Sequence, residues 1–212
     1  MSVEQLYRPF QDRFRAARMK LFVEHFNITN DTRIIDVGGT PQNWGYISQE
    51  PQVTICNLGI ENEERGRFIF READGTCLPF EDNSFDIAYS NSVIEHVGDW
   101  DAQRRFAGEI RRIAKSYYVQ TPNRWFFVEP HFVAPVIHML PRSMYRRLIP
   151  LFSAKYWMER PSSEDVDALF EEIRLLDRDE VKTLFPDAEF SEEKFLGMAK
   201  SFIAMRIADK AA

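Results

Sequence analysis

Asp82-Asn83-Ser84-Phe85-Asp86-Ile87-Ala88-Tyr89-Ser90-Asn91-Ser92-Val93-Ile94-Glu95-His96-Val97 is the most specific stretch of this chain. Its apolar run from Ser84 to Ser90 reads as a strand buried on both faces, the pattern of a parallel sheet. The strand leaves through small polar residues into a turn of helix carrying Glu95 and His96. Neighbours on a helix point to different faces. Upstream, Arg33 to Val37, Val53 to Leu58 and Arg67 to Arg71 read as three more strands. Downstream, Asp101 to Ala114 reads as a helix and Ser116 to Gln120 as a fifth strand, ended by Thr121-Pro122-Asn123. Strands alternating with helical segments imply an α/β fold with right-handed crossovers.

The flanks follow the same logic. Residues 3–26 read as an amphipathic helix, and the segment from Gln42 to Gln49 starts another that Pro51 cuts short. Ile173 to Leu176 reads as a strand and Arg178 to Phe185 as a short helix with Asp179 at its cap. The runs Ala188 to Leu196 and Ser201 to Ile207, parted by Gly197, read as a closing antiparallel hairpin. We therefore expect a single domain over 1–212, with an N-terminal helix within 1–30 and a helical cap inserted over 124–165.

Composition narrows the class. At 212 residues, 44% hydrophobic and 28% charged, the chain has the balance of a globular domain. The formal net charge of −6 argues against a dedicated nucleic-acid binder, which needs a basic face. No run of about 18 apolar residues occurs, so no membrane span is expected, and the polar opening of the chain points to the cytoplasm. The two cysteines, Cys56 and Cys77, make neither a disulfide framework nor a metal cluster by their spacing, and no metal is expected.

In open parallel sheets, ligands bind at the carboxyl ends of the strands. The first strand ends in Asp36-Val37-Gly38-Gly39, where glycine lets backbone approach a ligand and Asp36 suits a cationic one. The second ends at Asn57, either a residue that merely turns the chain or an amide suited to a diol, with Glu61 nearby as the alternative. The third runs into Asp74-Gly75-Thr76, either a plain turn or an acceptor for an exocyclic amine. Ser90 and Asn91 follow the fourth strand, with His96 just beyond. After the fifth strand come Arg124, Trp125, Glu129 and His131, which read as the lining of an acceptor pocket.

The order Asp-Val-Gly-Gly, then Ala-Asp-Gly-Thr-Cys-Leu-Pro-Phe, then Asn-Ser-Phe-Asp-Ile-Ala-Tyr-Ser-Asn-Ser-Val-Ile-Glu-His-Val resembles the class I methyltransferases that use S-adenosylmethionine (SAM), and within them the methyltransferase type 11 group. The match covers about residues 31–122. The resemblance implies a Rossmann-like, seven-stranded, mostly parallel sheet in the order 3-2-1-4-5-7-6, with strand 7 antiparallel. It implies that Asp36, Gly38 and Gly39 lie beside the amino-acid part of SAM, and that Asn57 takes the place of the family's ribose-binding acid. It sets Asp74 on the adenine amine with Gly75 and Thr76 alongside, and makes Ser90 and Asn91 the wall beside the methyl. Two features depart from the family: Thr40-Pro41 follow the two glycines where a third is usual, and Asn57 replaces an acid.

Methyl transfer is an in-line displacement that alignment accelerates without a covalent residue. An oxygen acceptor of high pKa also needs a base, for which His96 and His131 are the candidates. Arg124 suits an anionic acceptor. The expectation is thus methyl transfer to the oxygen or nitrogen of a small or medium-sized acceptor, by a monomer or homodimer. The alternatives are a non-catalytic protein of the same fold and an NAD-dependent oxidoreductase. The latter lacks its Gly-x-Gly-x-x-Gly, because neither later glycine follows Gly38-Gly39.

Overall fold

The computed structural model describes residues 3–208, with side chains from residue 12. Helix α1 (Val3–Phe26) leads into β1 (Arg33–Val37), a 3-10 turn at Pro41–Tyr46, and β2 (Gln52–Asn57). A hairpin of β3 (Glu63–Arg65) and β4 (Phe68–Glu72) precedes β5 (Phe85–Asn91), a 3-10 turn at Ile94–His96, α2 (Trp100–Ile113) and β6 (Ala114–Pro122). The cap comprises β7 (Val128–Glu129), β8 (Ala134–Pro135), a 3-10 turn at Ile137–Met139, α3 (Arg142–Phe152), α4 (Ala154–Glu159) and α5 (Ser163–Glu172). The chain closes with α6 (Arg178–Leu184), β9 (Glu189–Phe195) and β10 (Met198–Arg206).

The main sheet runs β3-β4-β2-β1-β5-β6-β10-β9. Strands β4, β2, β1, β5 and β6 are parallel, and β10 pairs antiparallel with both β6 and β9. Seven of the eight strands follow the order that the resemblance implies. The eighth, β3, is an added edge: Gly66 at φ +60° turns the chain so that Arg65 pairs with Phe68. A positive φ of this kind suits glycine, which has no Cβ to clash.

Alternating side chains feed two cores. On one face Ile35, Val37, Ala88, Tyr117 and Val119 meet Phe106 and Ile110 of α2 and Val181 and Leu184 of α6. On the other, Ile34, Val53, Ile55, Tyr89 and Tyr118 meet Met19 and Phe22 of α1 and Trp44. Aromatic residues fill both cores, and on this second face they contact one another directly. Phe22 packs edge-on against Tyr89 at 5.0 Å and Tyr118 at 5.5 Å, and these two tyrosines stack at 5.3 Å. Phe132, Ala134, Ile137, Ile149, Val166 and Phe170 form a third, separate core within the cap.

Some boundaries differ from expectation. Asp177, not Asp179, caps α6: its carboxylate accepts from the Asp179 and Glu180 amides while Glu180 answers its own amide. Residues 173–176 form no strand, only the single bridge between Leu176 and Asn123. The segments from Gln42 and Ser92 make 3-10 turns rather than α-helices, and the cap's helices run on to Glu172. Among the described residues, no helix is long and apolar enough to cross a membrane.

Phe22 is wholly buried between helix and sheet. Phe22→Ala should cost about 3–5 kcal/mol of unfolding free energy, measured by urea denaturation. A loss under 1 kcal/mol would mean that α1 is not docked there.

Candidate active site

Because β1 hands on to β2 on one side and lies beside β5 on the other, the strand order reverses between β1 and β5. That switch point opens a crevice at the strand ends. A cavity of about 410 Å³ lies there, lined by Gly38, Gly39, Asn91, Ser92, Glu95 and Gln120 from the sheet side and by Pro130, His131 and Val133 from the cap. Its size falls within the ~300–1,000 Å³ of small-molecule sites. Helix α1 closes one end with Arg15 and Arg18, and Lys155 of α4 adds a further positive charge.

Asp36 is fully buried behind the glycine turn. One carboxylate oxygen accepts from the Trp44 indole at 2.8 Å, while the other has no partner. A Cβ on Gly39 would fall 2.0 Å from that carboxylate, and one on Gly38, at φ +77°, would fall 2.5 Å from Val93. Only glycine fits at either position. Burial pushes the Asp36 carboxyl up to about 7, against a smaller opposing effect of the Trp44 hydrogen bond.

The other residues expected beside a cofactor fall into two groups. Asn91 reaches the cavity, where its side-chain oxygen accepts from Arg18. Arg18 also donates to Gln120 at 3.1 Å and to Glu193 at 2.9 Å, tying α1 across β5, β6 and β9. Ser90 is turned away, with its hydroxyl donating to the Val37 carbonyl. Asn57, Asp74, Gly75 and Thr76 sit beyond the cavity, at the tips of β2 and β4. The Asn57 amide donates to the Gly39 carbonyl at 2.7 Å, and Asp74 accepts from the backbone and hydroxyl of Thr76. A Cβ on Gly75 would meet Phe106 at 2.8 Å.

The two histidines come together although 35 positions separate them. Their Nε2 atoms face each other at 3.1 Å. His131 Nδ1 contacts Glu129 at 2.6 Å, and His96 Nδ1 contacts Glu172 at 2.8 Å. With each Nδ1–H donating to a carboxylate, the facing Nε2 pair has room for one shared proton. Glu95 completes the cluster. It is wholly buried, one oxygen accepting from Thr121 at 3.0 Å and the other unpartnered. Burial raises the Glu95 carboxyl, with His131 and His96 partly offsetting it. Burial acts against the ionised Glu129–His131 pair, but their mutual hydrogen bond and attraction win. Glu129 is held below the ordinary carboxylate range and His131 above the ordinary imidazole range.

Adjacent side chains diverge on the 3-10 turn as they do on an α-helix, yet His131 comes within reach of both Glu95 and His96: one ligand atom from each of the three lies within 4.8 Å of the others. Glu129 positions His131 and does not line the cavity; its other oxygen accepts from the Phe132 amide. Arg124 and Trp125 are not brought to the cavity either. Their turn is pinned by the Arg124 amide on Leu176 and the Trp125 amide on Asn123, which leaves both side chains exposed with the guanidinium over the indole. Glu95, Glu172, Arg18 and Gln120 carry no motif that sequence reading could use; only Glu95, beside His96, was in view.

Comparisons with known proteins bear on the family and the fold. Residues 48–117 match the family model described as a methyltransferase domain. An uncharacterized methyltransferase of Mycobacterium sp. (strain KMS) is 33% identical over 92 residues, covering 39% of this chain and 34% of the relative. The chain thus spans about a third of the length of the curated relatives it matches. A SAM-dependent methyltransferase of Methanosarcina mazei is 16% identical with a TM-score of 0.52, over 89% of this chain and 98% of that one. Phosphoethanolamine N-methyltransferase 2 of Haemonchus contortus, solved with SAM, is 14% identical with a TM-score of 0.52, over 80% of this chain and 37% of that one. The family match lies within the stretch whose resemblance was read from the sequence, and the fold is similar to that of solved SAM-dependent methyltransferases.

The raised Asp36 pKa has a sign that can be checked. The folded chain retains a proton on Asp36 that the unfolded chain gives up near pH 4, so stability falls as pH rises from about 4 to about 7. About three pKa units correspond to at most about 4 kcal/mol. In thermal melts of the ligand-free protein, Asp36→Asn, which keeps an acceptor for Trp44, should flatten this slope. An equal slope in both proteins would remove Asp36 as its source.

Proposed function

We propose that this chain transfers the methyl group of SAM to a small or medium-sized acceptor held between the sheet's glycine turn and the cap. The observation that carries this reading is the cavity of about 410 Å³ at the switch point, floored by Gly38-Gly39 and faced by His131. Two more features fit SAM, whose ammonium and sulfonium are both cationic. A buried carboxylate with a spare oxygen lies directly behind Gly39, and the side-chain-free turn lets a ligand approach the backbone.

When bound, SAM supplies a methyl carbon on a sulfonium, open to in-line attack. The chain's own residues align and shield. In this reading Gly38 and Gly39 receive the amino-acid end, with Asp36 as the charge behind them. Asn57 meets the ribose, while Asp74, Gly75 and Thr76 meet the adenine beyond the cavity, at the tips of β2 and β4. Asn91 walls the methyl. Ser90, its hydroxyl committed to Val37, supports that wall from beneath. The acceptor lies toward His131, and the facing Nε2 atoms of His131 and His96 take its proton. Glu129 and Glu172 fix the rings by their Nδ1 contacts.

Lys155 and Arg15 at the cavity, rather than Arg124 and Trp125 at the outer rim, are placed to favour a polar or anionic acceptor. A net charge of −6 favours a small molecule over nucleic acid.

The test is methyl turnover from labelled SAM across a set of hydroxylated and amino acceptors, paired with calorimetric SAM titration. Asp74→Ala should weaken SAM binding by about 1–2 kcal/mol, the scale of one hydrogen bond. His131→Ala and His96→Ala should lower turnover far more than SAM affinity. Tight SAM binding without turnover on any acceptor would favour the non-catalytic alternative.

A further inference from the structure

We infer that Glu95, His96 and His131 form a binding site for one divalent transition-metal ion at the wall of the cavity. One ligand atom from each of the three lies within 4.8 Å of the others. The Nε2 separation of 3.1 Å is that of two nitrogens sharing one ion. Nitrogens ~2.05 Å from a metal stand ~3.3 Å apart at a tetrahedral angle and ~2.9 Å apart at a right angle.

Three further observations point the same way. The second oxygen of Glu95 is buried and has no partner, a condition that costs free energy unless a ligand meets it. Each histidine is braced on the nitrogen facing away from its partner, by Glu129 and by Glu172. That is how metal-binding imidazoles are oriented and their outward nitrogens fixed as donors. The two rings also stand among three carboxylates, Glu95, Glu129 and Glu172, which a dication bound between the rings would have as neighbours.

Two imidazoles and a carboxylate suit zinc and its first-row neighbours rather than magnesium or calcium. Three protein ligands leave a coordination position free. Glu95 and His131 both line the cavity, so that position faces it.

The site stands independently of methyl transfer, but its role rests on that reading. With the ion in place, the histidines hold it instead of taking the acceptor's proton. A hydroxyl of the acceptor occupies the open position and, acidified there, gives its proton to water. The resulting alkoxide oxygen forms the new C–O bond to the methyl carbon. The C–S electron pair stays on sulfur, yielding a methyl ether and the demethylated thioether. The transfer is then to oxygen.

The test uses the full-length chain without an affinity tag, stripped with chelator and titrated with Zn²⁺ by calorimetry. Co²⁺ loading is followed by visible absorption. One ion per chain should bind, with cobalt bands typical of low coordination number. His96→Ala and His131→Ala should each weaken binding at least 100-fold, and Glu172→Gln by about 10- to 100-fold through loss of ring orientation. The exposed His25→Ala should leave binding unchanged. Where an alanine variant melts early, Glu95→Gln supplies the same loss with the side chain's size retained. Failure to bind a stoichiometric ion, or binding that survives these substitutions, overturns the site. Turnover by a metal-free, chelator-insensitive enzyme would sink the metal and leave methyl transfer standing. An ion bound through these ligands with no turnover on any acceptor would do the reverse.

Discussion

A carboxylate buried at the end of the central strand constrains everything around it. Asp36 has one oxygen on the Trp44 indole and the other on nothing. Burying a charge half-satisfied is costly, so burial keeps the carboxyl partly protonated near neutral pH. Trp44 is held for this contact by the aromatic cluster that also docks α1, through Phe22 and Tyr89. The carboxylate forbids any side chain at position 39. Core packing and the bare backbone turn are therefore parts of one arrangement, to which the proposed function adds a cationic ligand.

The second arrangement is built from more distant pieces. His96 stands on a 3-10 turn after β5 and His131 on the loop between β7 and β8, and each is braced by a carboxylate from the cap. Closing such a site requires the cap to dock as a unit, which its own apolar core allows. The nearby backbone bears the strain. Ser92, Val133 and Val136 all adopt positive φ, a conformation unfavourable for β-branched valine. Strain of this kind persists where surrounding contacts over-determine the geometry, as they do at functional sites.

The central sheet was legible because buried parallel strands leave near-continuous apolar runs, such as Phe85 to Tyr89, and glycines mark their ends. Strand β3 was not, since Glu63-Glu64-Arg65 has no apolar pattern and pairs only because Gly66 turns it back. That the glycine turn and Asn91 line the cavity was readable from their place at strand ends. The roles of Ser90 and Glu129 were not, because a hydroxyl or carboxylate does not announce whether it faces a cavity or braces a neighbour. Arg124 and Trp125 looked like lining by composition, yet backbone hydrogen bonds to Leu176 and Asn123 turn them outward. The expectation of no metal came from cysteine spacing; the Glu95, His96 and His131 cluster is assembled by tertiary structure across 35 positions, beyond the reach of local spacing.

The most direct measurement is a crystal structure of the chain with the demethylated form of SAM bound. The account predicts its amino-acid end against Gly38-Gly39, its adenine toward Asp74 at the tip of β4, and its sulfur facing the cavity walled by Asn91 and His131. Density for the nucleoside elsewhere, or an empty crevice at a saturating concentration, would contradict it.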